Sequence, residues 1–586
     1  MEIWSQVYDP LGNTILSTLV CAIPVVVLLG GLGLFHIRAH YAAIAGLVAA
    51  VVIAMFVLGM PGPIAARAGF FGALFATTTV CWIIFNLIFL YRMTVKAGLF
   101  SILQDSIGGI TNDRRLQLIL IAFCFGAFFE GAAGGGTPVA VTGAILIGLG
   151  FNPLAASGLS LIANTAPVAF GGLGTPIIVL QSVTNFDLLH LSAQVGRQLP
   201  VFSVIVPFWV VITFCGLRKT VQVWPAILAA GLAFAIPQFL ISNFHGPWLV
   251  DMLSAMISMI LLAVFLKVWK PKNVMLDASG GGVTVSYEEA QKSREHHGHS
   301  RDMVVKAWMP WVILTVVLFL WGLPQFRTFL DGGKSPVPAS SAQNAISPEN
   351  EISLAWWERP NFLSGISEQK WLVPHLHQQV QPAATVIGGD GKPKTAEFRF
   401  NWLSATGTGI FIAAILSALW MGISAYQFCR LFFKTLHHLR WPLFTIACML
   451  AIAYTTQYSG TDVTLGLAFT HTGALYPFFA PLLGWLGVAL TGSDTSSNAL
   501  FGNLQRITAE RLGLNPILIC AANSTGGVMG KMIDAQSIVV ASAATEQQGS
   551  EGKILRFVFW HSIALATLVG LLTLVQAYLV PGMIPG

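Results

Sequence analysis

Gly492-Ser-Asp-Thr-Ser-Ser-Asn498 and Gly131-Ala-Ala-Gly-Gly-Gly-Thr-Pro138 interrupt two otherwise apolar stretches, 473–511 and 116–150. Neither stretch reads as one straight helix: each carries a run of small and polar residues at its centre, with an acid beside it, Asp494 in one and Glu130 in the other. Irregular backbone at membrane depth survives only where protein buries it or where it lines a cavity. The two interruptions therefore predict either pairs of tight spans or re-entrant hairpins.

The surrounding chain makes membrane depth the right frame. Of 586 residues, 55% are hydrophobic and 10% charged, and mean hydropathy is +0.72. Soluble domains carry about 25% charged residues, and no soluble core of this length buries so much apolar surface. Runs long enough to span, roughly 20 residues, fall near 11–35, 41–60, 69–91, 153–180, 198–217, 224–243, 247–269, 307–324, 404–424, 441–457, 514–541 and 557–580. The expected architecture is an all-α polytopic membrane protein of about 12 transmembrane helices plus two re-entrant hairpins. The first run has no basic residue before it, so it is expected to be retained rather than cleaved as a signal peptide.

Basic residues set the orientation. Arg38, Arg92, Lys96, Arg114, Arg115, Arg218, Lys219, the basic cluster of 267–306, Arg430, Lys434 and Arg440 fall on one side, cytoplasmic by the positive-inside rule. The segment 325–402, with seven Lys plus Arg against seven Asp plus Glu, falls opposite, with both termini. This bookkeeping closes only if 116–150 and 473–511 each return to the side they entered, which favours hairpins. The chain then divides into an N-terminal transmembrane half (1–269, with the first hairpin), a cytoplasmic loop (270–306), a helix (307–324), a periplasmic loop (325–402) and a C-terminal half (403–586, with the second hairpin).

The halves repeat. Leu149-Gly-Phe-Asn-Pro153 matches Leu512-Gly-Leu-Asn-Pro516; Glu130 precedes its Asn by 22 residues and Asp494 by 21. Downstream lie Ala163-Asn-Thr165 and Ala522-Asn-Ser-Thr525, each followed by glycines. The first hairpin enters from the cytoplasm and the second from the periplasm. Such an inverted-topology repeat is a recurrent plan in secondary transporters, with the site where the repeats meet.

An anion in this setting is held best by free N–H groups at helix breaks. Asn164 and Thr165, before Gly171-Gly-Leu-Gly-Thr-Pro176, and Asn523, Ser524 and Thr525, before Gly526-Gly, read as unwinding points and substrate contacts. Ordinary small-residue helix packing is the competing explanation. Thr137, Ser493, Thr495, Ser496 and Asn498 at the interruptions are further substrate candidates. Glu130 and Asp494 are the proton-coupling candidates, since an ionisable group at membrane depth marks function by default. Asp494 also suits a helix N-cap. Lys531 is either a substrate cation or the partner of Asp534, three residues on. His471 is more readily a packed histidine than a proton relay. His296-His-Gly-His299 and His375-Leu-His377 lack the further ligands of a metal site. The seven cysteines form no paired framework. No phosphate loop, GxSxG or HExxH is present, so no cofactor, metal, ATP or enzymatic chemistry is expected, and no basic stripe suggests nucleic acid.

The stretches GAFFEGAAGGGTPVA (126–140), GLGFNPLAASGLSLIANTAPVAFGGLGTPI (148–177), PHLHQ (374–378), WLSATGT (402–408) and LTGSDTSSNALFGNLQ (490–505) resemble the L-lactate permease family, the lactate/glycolate proton symporters of bacteria. The resemblance runs from the first third of the chain to near its C-terminus. It implies import of lactate and related 2-hydroxy monocarboxylates such as glycolate, with protons, across the inner membrane. Gly135 departs from the aromatic expected there. Sodium-coupled carboxylate transport on the same architecture remains open from the residues alone. A membrane enzyme lacks a nucleophile–base pair, and a channel fits two broken helices less well than a binding site does.

Sidedness is directly testable. With Cys429 removed as background, a cysteine replacing Ser340 should react with an impermeant maleimide in intact spheroplasts. One replacing Ser293 should react only after permeabilisation, and reaction of both in intact spheroplasts would overturn the orientation.

Overall fold

The computed structural model describes residues 3–585 except 36, 109, 135, 283, 293–299, 334–358, 384–392 and 471. Its helices turn the soluble pattern inside out. Leu188–Cys215 buries Ser192, Gln194, Gln198 and Ser203 completely and exposes Leu189, Val201 and Ile212. Phe56, Phe70, Phe244, Val268, Leu419 and Trp560 are also exposed on apolar helices. Lipid rewards an apolar surface and offers backbone groups no partner, so helices that satisfy themselves and hide their polar side chains are what it selects.

Among the described residues, ten helices are long and apolar enough to cross: Thr14–Leu32, Ala39–Phe56, Gly62–Lys96, Leu188–Cys215, Leu217–Phe244, Val250–Val268, Arg301–Trp321, Ala425–Ser459, Gly473–Thr491 and Glu551–Tyr578. This is fewer than the twelve expected, for local reasons. The run 153–180 is a bent pair, Pro153–Ala163 and Val168–Thr184, angled by 65°. The run 514–541 is two helices, Pro516–Gly530 and Ala535–Ala544, because Asp534 caps the second by accepting from the N–H groups of Gln536 and Ser537. Thr406–Met421 has only 16 residues. Conversely Gly473–Thr491, expected as a hairpin arm, is long enough to be a span.

Both interrupted stretches fold back on themselves. In the first, Gly126–Ala133 packs against Thr137–Gly148 across a turn at Gly134 (φ 62°) and Gly136 (φ 83°), a left-handed region that costs glycine nothing. In the second, Tyr476–Thr491 ends at a left-handed Gly492 and Asp494–Leu512 returns, both packed on Pro516–Gly530.

Outside the helices, three two-stranded pairs tie the loops. Trp4–Ser5 lies parallel to Val380–Gln381, which puts the N-terminal strand and part of 325–402 on one face of the bundle. Glu368–Leu372 pairs with Glu397–Asn401, and Asn273–Met275 with Thr284–Ser286. Lys394 pins its loop by donating to the Gln457 carbonyl at 2.7 Å.

The basic loops are held by one fully buried ion pair. Arg115 (0% exposed) meets Asp113 (1%) through Nη2 at 2.5 Å and Nε at 2.9 Å. Its remaining donors reach the Lys219 carbonyl at 2.7 Å, Gln222 Oε1 at 3.0 Å and the Asn273 carbonyl at 2.7 Å. One guanidinium thus joins three segments, each hydrogen bond using the planar fork that lysine lacks. Removing one partner of a buried pair leaves the other charge uncompensated. Arg115→Ala should therefore cost about 3–5 kcal/mol, read as a lower thermal midpoint in detergent. Arg115→Lys should fall between it and the parent protein, and an unchanged midpoint for Arg115→Ala would remove the latch from the stability account.

Candidate functional site

The site begins where two helices touch backbone to backbone. A Cβ on Gly484 would land on the Asn523 carbonyl oxygen, and one on Gly526 on that of Pro481. The glycines after Asn523 therefore serve close packing. Pro516–Gly530 runs unbroken through 523–525, against the unwinding expected there, and the chain breaks only at Lys531–Asp534. In the first half the expected break is present: Pro153–Ala163 ends at Asn164, and Gly172, Leu173 and Gly174 follow with φ of 52°, 60° and 74°.

Close approach delivers a buried polar network. Asp494 (3% exposed) accepts from Ser524 Oγ at 2.5 Å and from Asn498 Nδ2 at 3.4 Å through Oδ2, while its Oδ1 has no hydrogen-bond partner. Ser493, not Asp494, is the helix N-cap, accepting from the Ser496 N–H, so the capping account of Asp494 fails on geometry. Asn523 is saturated: its Nδ2 donates to Asn498 Oδ1 at 2.9 Å and Ser497 Oγ at 3.4 Å, and its Oδ1 accepts from Gln505 at 3.0 Å. Asn498 also donates to the Pro176 carbonyl at 3.1 Å, reaching the break of the other half. Thr525 donates to Gln198 Oε1 at 2.8 Å. Thr495 and Ser496 sit half-buried in the first turn of their helix.

The first half contributes Glu130, 3% exposed, whose Oε2 accepts from Asn164 Nδ2 at 3.0 Å. Asn164 Oδ1 has no partner. Thr165 turns back to its own helix, donating to the Ile162 carbonyl at 2.8 Å. Lys531 (3% exposed) donates to the Gly492 carbonyl at 2.5 Å and to Asp534 at 3.0 Å, so the pair forms, in a turn between helices. Lys531 is also near enough to act electrostatically on both Glu130 and Asp494.

Some expectations fall elsewhere. The Thr137 side chain, Gly135, His471 and His296-His-Gly-His299 lie outside the described residues. His377 accepts from the Ala396 N–H at 3.2 Å, a loop contact. No group of three or more His, Cys, Asp or Glu suited to a metal occurs among the described residues. Three buried groups went unnoticed in the sequence: Asp251 (1% exposed), Asp462 (0%) and Gln505 (0%). Each of the acids lies within two residues of a helix start, where it passes for a boundary charge.

The L-lactate permease family model matches residues 17–580. The chain belongs to the L-lactate permease family. It is 44% identical over 588 residues to glycolate permease GlcA of Escherichia coli K12, covering 100% of both chains. It is 42% identical to L-lactate permease of Bacillus subtilis 168, over 99% of this chain and 100% of that one. With L-lactate permease of Escherichia coli K12 it shares 40%, over 100% of both. Permeases are transporters, so this family member is a multi-pass transport protein of the bacterial inner membrane and not an enzyme.

Within the permease, the saturated Asn523 and half-free Asn164 should behave differently. Asn523→Ala strands Asn498 Oδ1 and Gln505 and should cost about 1–3 kcal/mol of stability. Asn164→Ala should weaken lactate affinity with a smaller loss of stability. Thermal midpoints and lactate binding measured on both variants check the contrast, and equal midpoint losses would erase it.

Proposed function

We propose that this permease imports lactate and related 2-hydroxy monocarboxylates such as glycolate by proton symport. The observation that carries the reading is the pair of buried acids, Glu130 and Asp494, one from each repeat, with unpartnered buried oxygens on Asn164 and Asp494 beside them. A buried oxygen without a donor costs free energy unless something arrives to satisfy it. The substrate hydroxyl and a transported proton are donors of that kind. Relatives called lactate and glycolate permeases support the substrate class.

The topology follows the same reading. The stretches 116–150 and 473–511 act as re-entrant hairpins of an inverted repeat, entering from the cytoplasm and periplasm respectively. With Gly473–Thr491 as a hairpin arm, and with 153–184, Thr406–Met421 and 516–544 each counted as one crossing, twelve crossings result. The loop 270–306 is then cytoplasmic and 325–402 periplasmic. Ser493, Thr495, Ser496, Asn498 and Ser524 line or support the substrate site, while Asn523, Thr525 and Thr165 hold its walls.

Proton coupling has an energetic motive. Uptake of a monovalent anion against an inside-negative potential is opposed by about 2.3 kcal/mol per 100 mV. A co-transported proton cancels that charge and adds the pH gradient. Glu130→Gln keeps the shape and removes titration. In proteoliposomes it should abolish accumulation driven by a pH gradient while lactate exchange, which moves no net proton, continues. Normal accumulation by Glu130→Gln would transfer the role to Asp494. Accumulation of the parent protein under a sodium gradient alone would replace the coupling ion.

A further inference from the structure

Asp251 and Asp462 are buried acids that the transport reading leaves unused, and Asp251 is the one packed against the turn carrying Glu130. It is 1% exposed, and neither carboxylate oxygen has a hydrogen-bond partner among the described residues. It sits in the first turn of Val250–Val268, whose N-cap residue, Leu249, makes no side-chain cap bond. That helix end rests on the turn carrying Glu130: a Cβ on Gly131 would meet Asp251 Cβ at 2.8 Å and the Met252 N at 2.9 Å. Glu130 itself abuts the broken segment, since a Cβ on Gly171 would meet Oε1 at 2.6 Å. Gly174, three residues further on and the last of the left-handed run, lies against Pro247 in the linker that leads to Asp251. Glu130, Asp251 and the 171–174 break therefore form one contact unit.

Among the described residues, three helical segments packed on the Asp251 helix offer it no cation, and His245, in the linker before it, meets Trp248. Trp224–Phe244, Ile119–Phe125 and Gly171–Thr184, which pack on its helix, contain no Lys, Arg or His. Their one titratable group is the Cys124 thiol, bonded to Ser258 at 3.3 Å. Gly126–Ala133, the remaining element packed there, contributes Glu130, which is close enough to act on Asp251. Lys531 acts on Glu130 from the other side. Two carboxyl groups in one contact unit of a low-dielectric interior disfavour double ionisation, so a single proton on the pair is the favourable occupant.

We infer that Asp251 is the second half of the proton site: Glu130 and Asp251 hold the transported proton as a pair. This rests on proton coupling through Glu130. The proton leaves to water when the site opens and returns with the next substrate; no covalent bond is made or broken beyond the O–H bond itself. The pair has a use that one acid lacks. Its doubly ionised form puts two like charges in one buried contact unit, so the proton is retained until water enters, which suppresses leak between substrate cycles. Asn164, with Nδ2 on Glu130 and Oδ1 free, is placed to sense the substrate and the loaded pair together.

The test uses the full-length protein in proteoliposomes containing a trapped pH dye. Lactate exchange, lactate accumulation under a pH gradient and lactate-driven proton uptake are measured for the parent, Asp251→Asn, Glu130→Gln and the double variant. Asp251→Asn should keep exchange within about threefold and lose accumulation and proton uptake by about tenfold or more, and the double variant should be no worse than either single one, as expected for residues acting as a unit. Normal proton uptake by Asp251→Asn, with Glu130→Gln defective, overturns the pair and leaves Glu130 coupling standing. Normal coupling by Glu130→Gln overturns the broader reading instead. If Asp251→Asn does not insert, the parent protein decides the matter through reaction with dicyclohexylcarbodiimide, which modifies protonated buried carboxyls. One adduct per molecule, on either Glu130 or Asp251 and suppressed by lactate, supports the pair; adducts on both in one molecule, or on neither, overturn it.

Discussion

Helix Tyr476–Thr491 and helix Pro516–Gly530 meet at a distance that only glycine permits, and the architecture of the site depends on that meeting. Gly484 faces the Asn523 carbonyl and Gly526 faces the Pro481 carbonyl, a reciprocal arrangement in which each helix supplies both the gap and the group that fills it. Lipid gives helices no hydrophobic reason to associate, so van der Waals contact and interhelical hydrogen bonds carry the association. The close approach brings Ser524 to Asp494 and Asn523 to Asn498 and Ser497. Gln505 and Tyr476 complete the wall, with Tyr476 Oη donating to Gln505 at 2.7 Å and Gln505 donating to the Ala480 carbonyl at 2.8 Å. A side chain at Gly484 or Gly526 would push these partners apart together.

That wall is where the polar groups divide into structure and site. Asn523 and Gln505 have their amide hydrogen-bonding groups engaged by the protein, and Thr525 donates within it. Asp494 Oδ1, Asn164 Oδ1 and both oxygens of Asp251 have no partner among the described residues. A buried polar network is worth most when every member is satisfied and costs most when one is left over. Other buried atoms without a partner lie elsewhere, on Asp462, Gln194 and Asn86 among others. Around Glu130 they gather: Asn164 donates to it, and the neighbouring Gly131 packs on Asp251. Bare acceptors grouped around one acid are what the proposed donors, a substrate hydroxyl and a proton, would satisfy.

Most spans were legible because a bilayer imposes one length and one composition on them. The family was legible because LTGSDTSSNALFGNLQ, 490–505, is long and specific. Glu130, Asp494 and Asn164 were legible as polar residues that an apolar run cannot carry without a purpose. What failed did so for identifiable reasons. The glycines after Asn523 are indistinguishable in sequence from those after Asn164, yet the first set accepts a neighbouring carbonyl and the second set turns left-handed. The break at Lys531–Asp534 was hidden because Met532 and Ile533 continue the apolar run through it. Asp251 was hidden because Gly246-Pro-Trp248 just before it reads as a loop. Only tertiary packing shows that this loop is folded into the protein against Gly174.

Arm lengths give the inverted repeat a mechanical meaning. Thr137–Gly148 has 12 residues and Tyr476–Thr491 has 16, about 18 and 24 Å of helix. In the proposed topology, hairpins of these lengths entering a hydrocarbon core of about 30 Å from opposite faces would pass each other near the middle. The overlap has a material counterpart in Ala535–Ala544. Its start is against one tip, with Asp534 and Gln536 beside Gly492, and Val540, farther along, touches Gly136 of the other. This short helix is therefore a strut between the two tips. It exists because Asp534 ends the preceding turn by capping it and holds Lys531 at the same time. Movement of one tip relative to the other must act on the strut, and through Asp534 on Lys531, a cation near enough to act on Glu130 and Asp494. The same residues that shape the break thus couple the position of the tips to the charge at the site.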